Sequence, residues 1–252
     1  MAYFRIEYYS EALCRTTSFE MFFPNDTSKE RGNIKTLFLL HGYTGKAGNW
    51  VPEELANELN VAIVMPTAEN SFYLNGLATG RKYEDMLAIE LVDYVRKVFG
   101  LAMEADKTGI CGLSMGGYGA IHTGLAHTDR FGYIGALSSA IIVKEVANMK
   151  PGDDNGVANY EYYRECFGET DKVLESDANL EVLIKKLKEN NKEIPKLYMC
   201  CGTEDFLLNN NRDFHQFLQS EGVDHIYKEG PGTHDMVFWS GNISDIVKWM
   251  FE

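Results

Sequence analysis

The sequence is poor in cysteine, and its cysteines follow neither a metal-binding nor a disulfide-rich pattern. The chain has five cysteines, which is an odd number, and none of them are spaced as CxxC. Cys200 and Cys201 are adjacent. Neighbouring residues of a strand point to opposite faces, so this pair suits neither a disulfide framework nor a zinc site. We therefore expect a reducing compartment and, with it, a cytoplasmic location.

Long apolar runs and an excess of positive charge are also missing. No stretch approaches the roughly 18 apolar residues of a membrane-spanning helix, and the N-terminal MAYFRIEYYSEALCRTT has no apolar signal-peptide core. The chain carries 24 Lys and Arg against 37 Asp and Glu, a formal net charge of -13. This balance gives no electrostatic footprint for nucleic acid or an anionic membrane, and we expect neither as a partner. Assembly into a homo-oligomer stays open.

Short apolar segments alternate with helical patterns along the 252 residues, a length that suits a single domain. Five segments are near-continuously apolar, as strands of a parallel sheet covered on both faces are: IKTLFLL, VAIVM, KTGIC, YIGALSS and KLYMCC. Repeated strand and helix units predict the α/β class, with a doubly wound and mostly parallel sheet. The alternating segments YFRIEYY and TSFEMFFP precede any helix and predict an antiparallel N-terminal edge.

The segment YEDMLAIELVDYVRKVFG has the helical pattern between the second and third of these strands. It places four apolar residues on one predicted stripe and ends at a glycine, a frequent helix stop. The stripe consists of Leu87, Leu91, Val95 and Val98, and the stop is Gly100.

Residues Lys144 to Asn191 interrupt the alternation. They include KPGDDNGVANYEYYRECFGE, rich in Gly, Asp, Asn and Tyr, and then the helical LEVLIKKLKEN. An insertion between two sheet strands is usually either a plain surface excursion or a cap over a site. The tyrosines favour a small cap.

One serine stands among glycines where a strand pattern gives way to a helical one. Gly112-Leu113-Ser114-Met115-Gly116 is a G-x-S-x-G pattern, in which a sharp turn holds the serine hydroxyl above the sheet. Larger residues at the glycines would collide with the strand and helix that the turn joins. The alternative is a tight turn without chemistry. Because the pattern follows KTGIC and leads into YGAIHTGLAH, we predict that Ser114 is a nucleophile.

A nucleophilic serine in this architecture requires a base late in the chain, in the order Ser, Asp or Glu, His. His234 lies in GPGTHDM, a loop between the strand-like HIYKE and the last helix, and loops at strand ends gather the sites of α/β sheets. We predict His234 as the base, with His225 as the second choice. The other histidines precede the serine or lie in helical patterns, and we expect structural roles for His41, His122, His127 and His215.

The acid that orients the base should follow the strand KLYMCC, in the segment GTEDFLL. Glu204 and Asp205 both qualify, whereas Asp235 is too close in sequence to His234 to fold back onto its imidazole. Asp205 is our choice because it is shorter and borders the apolar FLL. Its alternative role is an N-cap for the following helix.

A nucleophilic serine site of this kind also needs two backbone amides that stabilise the oxyanion of the tetrahedral intermediate. One belongs to Met115, the residue after the nucleophile. The other should come from a loop after an early strand, and LLHGYTGKAGNW follows the first apolar segment. We predict the amide of Tyr43 as the second donor.

In combination, IEYYSEAL, LLHGYTGKAGNW, GLSMGGYGA, CGTEDFLL and GTHDMVFW resemble the tributyrin esterase family, relatives of esterase D and S-formylglutathione hydrolase with the α/β-hydrolase fold. The resemblance runs in the same order along nearly the whole chain. It implies hydrolysis of short-chain acyl esters without a cofactor or metal. Carried over by position, it implies the roles already given to Ser114, Asp205, His234, Tyr43 and Met115, and it places Trp50 and Trp239 near the cleft.

The sequence departs from this family in two places. Close relatives have a tryptophan two residues after the catalytic histidine, where this chain has Met236, so the acyl pocket differs in shape. Residues Met149 to Asn159 are polar and have no clear counterpart, which leaves the cap and the substrate class open.

Several substrates and classes therefore remain as alternatives. Aromatic side chains near the proposed cleft would stack on a hydroxycinnamoyl group, as in feruloyl esterases, unless most of them are core residues. They are Tyr43, Trp50, Phe72, Tyr73, Phe238 and Trp239, of which we expect Trp50, Tyr73 and Trp239 to bind substrate. Acetylated oligosaccharides are further candidates, and an anionic glutathione thioester suits an acidic protein less. An acyltransferase would use the same triad, and a binding module on a hydrolase scaffold would need no turnover.

Overall fold

The computed structural model describes residues 2–24 and 33–252. Within these ranges, eight strands form one sheet in the order β1-β2-β4-β3-β5-β6-β7-β8. Their bounds are β1 Ala2–Ser10, β2 Arg15–Phe23, β3 Lys35–Leu40, β4 Val61–Pro66, β5 Thr108–Leu113, β6 Tyr133–Leu137, β7 Lys196–Gly202 and β8 His225–Gly230.

The strand directions confirm the predicted fold class. β1 pairs antiparallel with β2 and β2 antiparallel with β4, whereas every pair from β4 to β8 is parallel. All five apolar segments are strands, HIYKE is the sixth parallel strand, and the alternating N-terminal segments form the antiparallel edge. The carboxyl ends of β3, β5, β7 and β8 therefore meet along one edge of the sheet, where an α/β site is expected.

Helices cover both faces of this sheet. They are α1 Glu53–Glu58, α2 Val92–Phe99, α3 Met115–Ala126, α4 Val143–Asn148, α5 Tyr160–Phe167, α6 Leu180–Glu189, α7 Leu208–Ser220 and α8 Met236–Phe251. Alternate residues of β3 divide between the two cores: Phe38 and Leu40 pack in one, and Leu37 and Leu39 in the other, which includes the buried residues of α8. Burial of both faces explains why the strands are continuously apolar. No helix of the described ranges is long and apolar enough to cross a membrane.

The predicted stripe before Gly100 is correct except at its end. Leu87, Leu91 and Val95 are fully buried, but Val98 is 53% exposed. A π-helical stretch, Asp85–Leu91, precedes α2, and its wider turn rotates the later residues relative to a regular helix. Val92 takes the buried position instead.

The insertion between β6 and β7 contains α4, α5, a 3₁₀ turn at Thr170–Glu175, and α6. The predicted helix LEVLIKKLKEN is α6, which begins after the N-cap Asn179, whose side chain accepts from the Glu181 N–H. Asn159 caps α5 in the same way, by accepting from the Tyr162 N–H. This second cap fixes the start of a helix that the sequence pattern did not indicate.

Candidate active site

Ser114 lies at the sharp turn between β5 and α3. Its backbone has φ 55° and ψ -118°, a conformation that a residue with a side chain rarely adopts. The turn is held by hydrogen bonds from the Ser114 N–H to the Leu137 carbonyl (2.9 Å) and from the Ala140 N–H to the Ser114 carbonyl (3.0 Å). Both partners belong to the neighbouring β6 strand and the loop after it, so the sheet itself fixes the serine.

The glycines on either side of the turn are required by backbone contacts. A Cβ on Gly112 would lie 2.2 Å from the Gly116 carbonyl oxygen, and one on Gly116 would lie 2.5 Å from the Leu40 carbonyl oxygen. Backbone atoms cannot move aside as flexible side chains can. The turn is therefore built for close approach of β3, β5 and α3, and Ser114 is presented at its tip.

His234 and Asp205 complete a chain of hydrogen bonds behind Ser114. His234 Nε2 is 2.9 Å from Ser114 Oγ, and His234 Nδ1 is 3.0 and 2.9 Å from the two carboxylate oxygens of Asp205. With Asp205 ionised, Nδ1 carries a proton and Nε2 is the acceptor for the serine hydroxyl. The structure thus brings together the three side chains that the sequence analysis selected, in the geometry of a nucleophile, a base and an orienting acid.

Asp205 is a buried carboxylate whose surroundings favour its charged form. Burial alone raises its pKa, but hydrogen bonds from His234, from the Leu207 N–H and from the Ser138 hydroxyl together lower the pKa below the ordinary value. The Leu207 nitrogen lies 2.8 Å from Oδ1. Asp205 therefore stays ionised and able to stabilise a positive charge on His234.

The alternatives to these residues have other partners. His225 Nε2 lies 2.7 Å from Nδ1 of His215, away from Ser114. Asp235 is the N-cap of α8, since Oδ1 accepts from the Val237 N–H at 2.8 Å and from the next amide. Glu204 is exposed and accepts from the Gly232 N–H at 2.7 Å, which ties the β7 loop to the His234 loop.

The loop after β3 lies against the nucleophile turn. A Cβ on Gly42 would be 2.8 Å from the Leu113 side chain and 3.5 Å from the Ser114 Cβ, so the backbone at Tyr43 is adjacent to the serine. Met115 is the first residue of α3, where a backbone N–H has no carbonyl partner within the helix. Both predicted amide donors therefore lie beside Ser114.

The His41 side chain holds the loop after β3 through hydrogen bonds. The Ala68 N–H donates to His41 Nε2 at 3.1 Å, so Nδ1 carries the proton and donates to the Gly42 carbonyl at 2.8 Å. Burial lowers the pKa of His41, which keeps its imidazole neutral in this role. Because the carbonyl and the N–H of a trans peptide point in opposite directions, His41 helps to orient the Tyr43 N–H from the side of the preceding peptide.

A cavity of about 760 Å³ opens beside Ser114 and His234, and most of its lining is apolar. Trp50 and Trp239 line it, as the resemblance implied, and so do Tyr43 and Phe72.

Tyr73 does not line this cavity. Its side chain is fully buried, its hydroxyl donates to the His41 carbonyl at 3.0 Å, and its ring fills the space that a Cβ on Gly119 would need. The prediction that Tyr73 binds substrate was therefore wrong, and Phe238, also buried, is absent from the lining.

Two aromatic rings hold the imidazole of His234 in place. Trp239 meets it edge to face, with ring centroids 4.9 Å apart, and Phe206 lies at 4.5 Å on the cavity side. Trp239 is itself fixed by a hydrogen bond from Nε1 to Ser138 Oγ at 3.0 Å. Sequence reasoning missed Ser138 and Phe206. Their only sequence signals are positions at the carboxyl end of β6 and next to Asp205.

Comparison with known proteins matches this chain to esterases over nearly its whole length. The model of the family described as "Putative esterase" matches residues 10–250. An acetyl esterase of Caldicellulosiruptor saccharolyticus is 39% identical over 261 residues, covering 99% of this chain and 98% of the relative.

Solved structures add two hydrolases of Staphylococcus aureus. The fluorophosphonate-binding serine hydrolase F, with substrate bound, has a TM-score of 0.87 at 29% identity, covering 100% of this chain and 98% of its own. The S-formylglutathione hydrolase apoenzyme has a TM-score of 0.85 at 30% identity, covering 100% and 99%. The predicted resemblance is confirmed. The chain belongs to the esterase family with the α/β-hydrolase fold and is a carboxylic ester hydrolase of the serine type.

Proposed function

We propose that this esterase cleaves short-chain acyl esters through a covalent acyl-enzyme on Ser114. The observation that carries the proposal is the 2.9 Å contact between Ser114 Oγ and His234 Nε2, with Asp205 behind the imidazole and an apolar cavity in front. A serine hydroxyl is a weak nucleophile until an adjacent base accepts its proton. This arrangement supplies that base next to a serine held at the tip of a rigid turn.

In the first half of the reaction, Oγ attacks the ester carbonyl while His234 Nε2 takes the hydroxyl proton. Asp205 stabilises the imidazolium that forms. The tetrahedral oxyanion accepts hydrogen bonds from the N–H groups of Tyr43 and Met115, each worth about 3 to 4 kcal/mol in comparable sites. When the carbonyl re-forms, the bond to the alcohol oxygen breaks, and that oxygen takes the proton from Nε2. The acyl group stays on Ser114.

In the second half, water replaces the alcohol. His234 Nε2 takes a proton from the water as its oxygen attacks the acyl carbonyl, and the same two amides stabilise the second oxyanion. Collapse of this intermediate breaks the bond to Ser114 Oγ, which recovers its proton from Nε2. The acid leaves, and Ser114, His234 and Asp205 return to their starting states.

The cavity and the relatives favour a small acyl group on an apolar alcohol. An acetyl group fills only a small part of about 760 Å³, so an apolar alcohol portion fits the remaining space. The relative from Caldicellulosiruptor saccharolyticus is named as an acetyl esterase. The formal net charge of -13 disfavours anionic esters and polyanionic or membrane partners.

A hydroxycinnamoyl ester is the second candidate, because the cavity lining contains several aromatic rings. Tyr43, Trp50, Phe72, Phe206 and Trp239 all face this space. Stacked aromatic groups add about 0.5 to 1.5 kcal/mol per pair beyond burial. Methyl ferulate would then be preferred over acetyl esters.

We further propose that the chain is one domain whose insertion acts as a cap. Val146, Met149, Val157 and Tyr163, all from the insertion, line the cavity together with residues of the sheet loops. A cytoplasmic location fits the cysteines, because all five are free thiols and four of them are buried. Fractionation of cells should place the protein with other cytoplasmic proteins.

A panel of nitrophenyl esters from acetyl to decanoyl, together with methyl ferulate, tests the substrate class. A short-acyl optimum supports the proposal, and a preference for ferulate supports the second candidate. Product analysis with added glycerol or sugar separates hydrolysis from acyl transfer, since a transferase would form the new ester in place of the free acid. Uniform rates on all esters would contradict a shaped acyl pocket.

A further inference from the structure

The insertion between β6 and β7 contacts the loop that carries Tyr43, although the two segments are far apart in the sequence. The Tyr162 hydroxyl of α5 donates to the Asn70 carbonyl at 2.9 Å, and the Asn70 side-chain Oδ1 accepts from the Thr44 N–H at 2.7 Å. The Tyr162 ring also meets the Tyr43 ring edge to face, with centroids 5.8 Å apart. A continuous link therefore runs from the cap helix to the residue that follows the proposed oxyanion donor.

This link fixes the half of the Tyr43 backbone that His41 leaves free. The peptide before Tyr43 is held at the Gly42 carbonyl, which accepts from His41 Nδ1 at 2.8 Å and from the Gly45 N–H at 3.0 Å. The peptide after Tyr43 is held by the Asn70 side chain through the Thr44 N–H. With both peptides anchored, the φ and ψ angles of Tyr43 have little freedom, and its N–H direction is set.

Thr44 needs such support. It has a positive φ of 61°, a conformation that is unfavourable for a β-branched residue. Strain of this kind persists only where surrounding contacts impose it. The hydrogen bond from the Thr44 N–H to the Asn70 side chain is one such contact, beside the bond from the Gly45 N–H to the Gly42 carbonyl that closes the turn across Thr44.

Tyr162 is suited to a permanent donor role. This residue of α5 is partly buried, with its ring against that of Tyr43, and burial is the main reason that its pKa lies above the ordinary tyrosine value. Its hydroxyl therefore stays protonated and donates to the Asn70 carbonyl at all working pH values. Asn70 cannot shift without breaking either this bond or the bond to Thr44.

We propose that Asn70 and Tyr162 are positioning residues that hold the Tyr43 amide in the oxyanion hole, so that the cap insertion contributes to catalysis as well as to substrate fit. This inference rests on the proposed function of Ser114 and Tyr43. An amide displaced by a fraction of an ångström stabilises the transition state less but leaves substrate binding in the cavity unchanged. Loss of the link should therefore lower kcat and spare KM.

The test compares Asn70→Ala, Asn70→Asp and Tyr162→Phe with wild type on a nitrophenyl ester. We expect Asn70→Ala to lower kcat about tenfold with KM within about twofold, because it deletes the acceptor for Thr44. Asn70→Asp keeps an oxygen at this position and should recover most of the rate. Tyr162→Phe keeps the ring on Tyr43 and should lower kcat several-fold. Tyr160→Phe removes a hydroxyl of the same helix outside the link and serves as the matched control.

A second readout separates positioning from general loosening of the fold. A trifluoromethyl ketone forms a hemiketal with the active serine, and its oxyanion occupies the same hole. The affinity for this inhibitor should fall in parallel with kcat in Asn70→Ala and Tyr162→Phe. Wild-type kcat in Asn70→Ala, a rise in KM alone, or an equal loss in Tyr160→Phe would overturn the inference.

Failure of this inference is distinguishable from failure of the proposed function. If Ser114→Ala hydrolyses the ester as fast as wild type, the proposed function is wrong and the link has no oxyanion to serve. If Ser114→Ala is inactive while Asn70→Ala and Tyr162→Phe keep the wild-type kcat and inhibitor affinity, only the positioning role is wrong.

Discussion

Ser114 illustrates how a single residue is held in an unfavourable state by its neighbours. Its positive φ of 55° is imposed by hydrogen bonds to Leu137 and Ala140 and by the close approach of Gly112 and Gly116. Strain at a functional residue is maintained only where the surrounding structure over-determines it. The result is a hydroxyl aimed at a fixed imidazole, without an entropic cost at the moment of reaction.

Substitution of the two candidate histidines should affect activity very differently. His234→Ala should lower kcat/KM on nitrophenyl acetate by about 10⁴-fold, because the serine loses its base. His225→Ala should retain most activity, since His225 pairs with His215 and does not contact Ser114. Steady-state kinetics of the two variants decides between them, and the reverse result would eliminate His234 as the base.

The lowered pKa of Asp205 predicts a pH dependence of stability. A carboxylate whose pKa falls on folding stabilises the native state above its unfolded pKa, and this contribution is lost as the pH drops through the native pKa. Wild type should therefore exceed Asp205→Asn in Tm most clearly near neutral pH. The difference should begin to shrink as the pH falls below about 4, the ordinary pKa of an aspartate, and should be gone only below the lower native pKa of Asp205, where both side chains are neutral.

Thermal unfolding of both proteins from neutral to acid pH measures this difference. A gap in Tm that stayed constant or widened with acidification would show that ionisation of Asp205 contributes nothing to stability.

At the scale of elements, the turn between β5 and α3 depends on glycine for contact rather than for flexibility. Gly116→Ala would place a Cβ 2.5 Å from the Leu40 carbonyl oxygen and 2.6 Å from that of His41. We expect a loss of about 2 kcal/mol or more in the free energy of unfolding. Gly241→Ala, in α8 and with no atom within 4 Å of the added Cβ, is the matched control and should be neutral or slightly stabilising.

Denaturant unfolding of the two variants measures the contrast. Equal stability of Gly116→Ala and Gly241→Ala would mean that β3 and α3 can separate at little cost. The close packing proposed for the turn would then be incorrect.

We expect the insertion to influence which acyl-chain length the enzyme prefers. Asn155 and Val157 line the cavity, whereas residues 152–156 are otherwise exposed. Deletion of Gly152 to Gly156 should change the ratio of kcat/KM for acetyl and octanoyl esters at least about threefold while Tm moves by only a few degrees, because exposed loop residues contribute little to stability. An unchanged ratio with normal activity would identify the segment as a plain loop.

A strand or helix could be predicted from the sequence only where a local residue pattern determines it. Continuous apolar runs located β3 to β7, because a strand buried on both faces has no polar positions. The π-helical stretch before α2 left no such signal, so Val98 was assigned to the wrong face. The helix α5 was missed as well, since its start depends on one Asn159 side chain within a polar region.

At the scale of the whole molecule, the site is a product of sheet topology. Ser114, Asp205 and His234 follow β5, β7 and β8, and parallel strands bring these ends to one edge although up to 120 residues separate them. Chain order and loop position therefore selected these residues before the structure. Contacts between distant loops were not accessible in this way: Tyr73 was placed in the cleft, and the Asn70 to Tyr162 link and Ser138 were not anticipated.

The strained turn, the glycines around it and the sheet topology together predict that Ser114 carries the acyl group. The most direct measurement is the intact mass of the protein, taken after rapid mixing with nitrophenyl acetate and acid quenching, for wild type and Ser114→Ala in parallel. We expect wild type to gain the mass of one acetyl group, located by peptide mapping on Ser114, and the variant to gain none and not to hydrolyse the ester. Unchanged turnover in Ser114→Ala, or acetyl on another residue of an active wild type, would contradict this prediction.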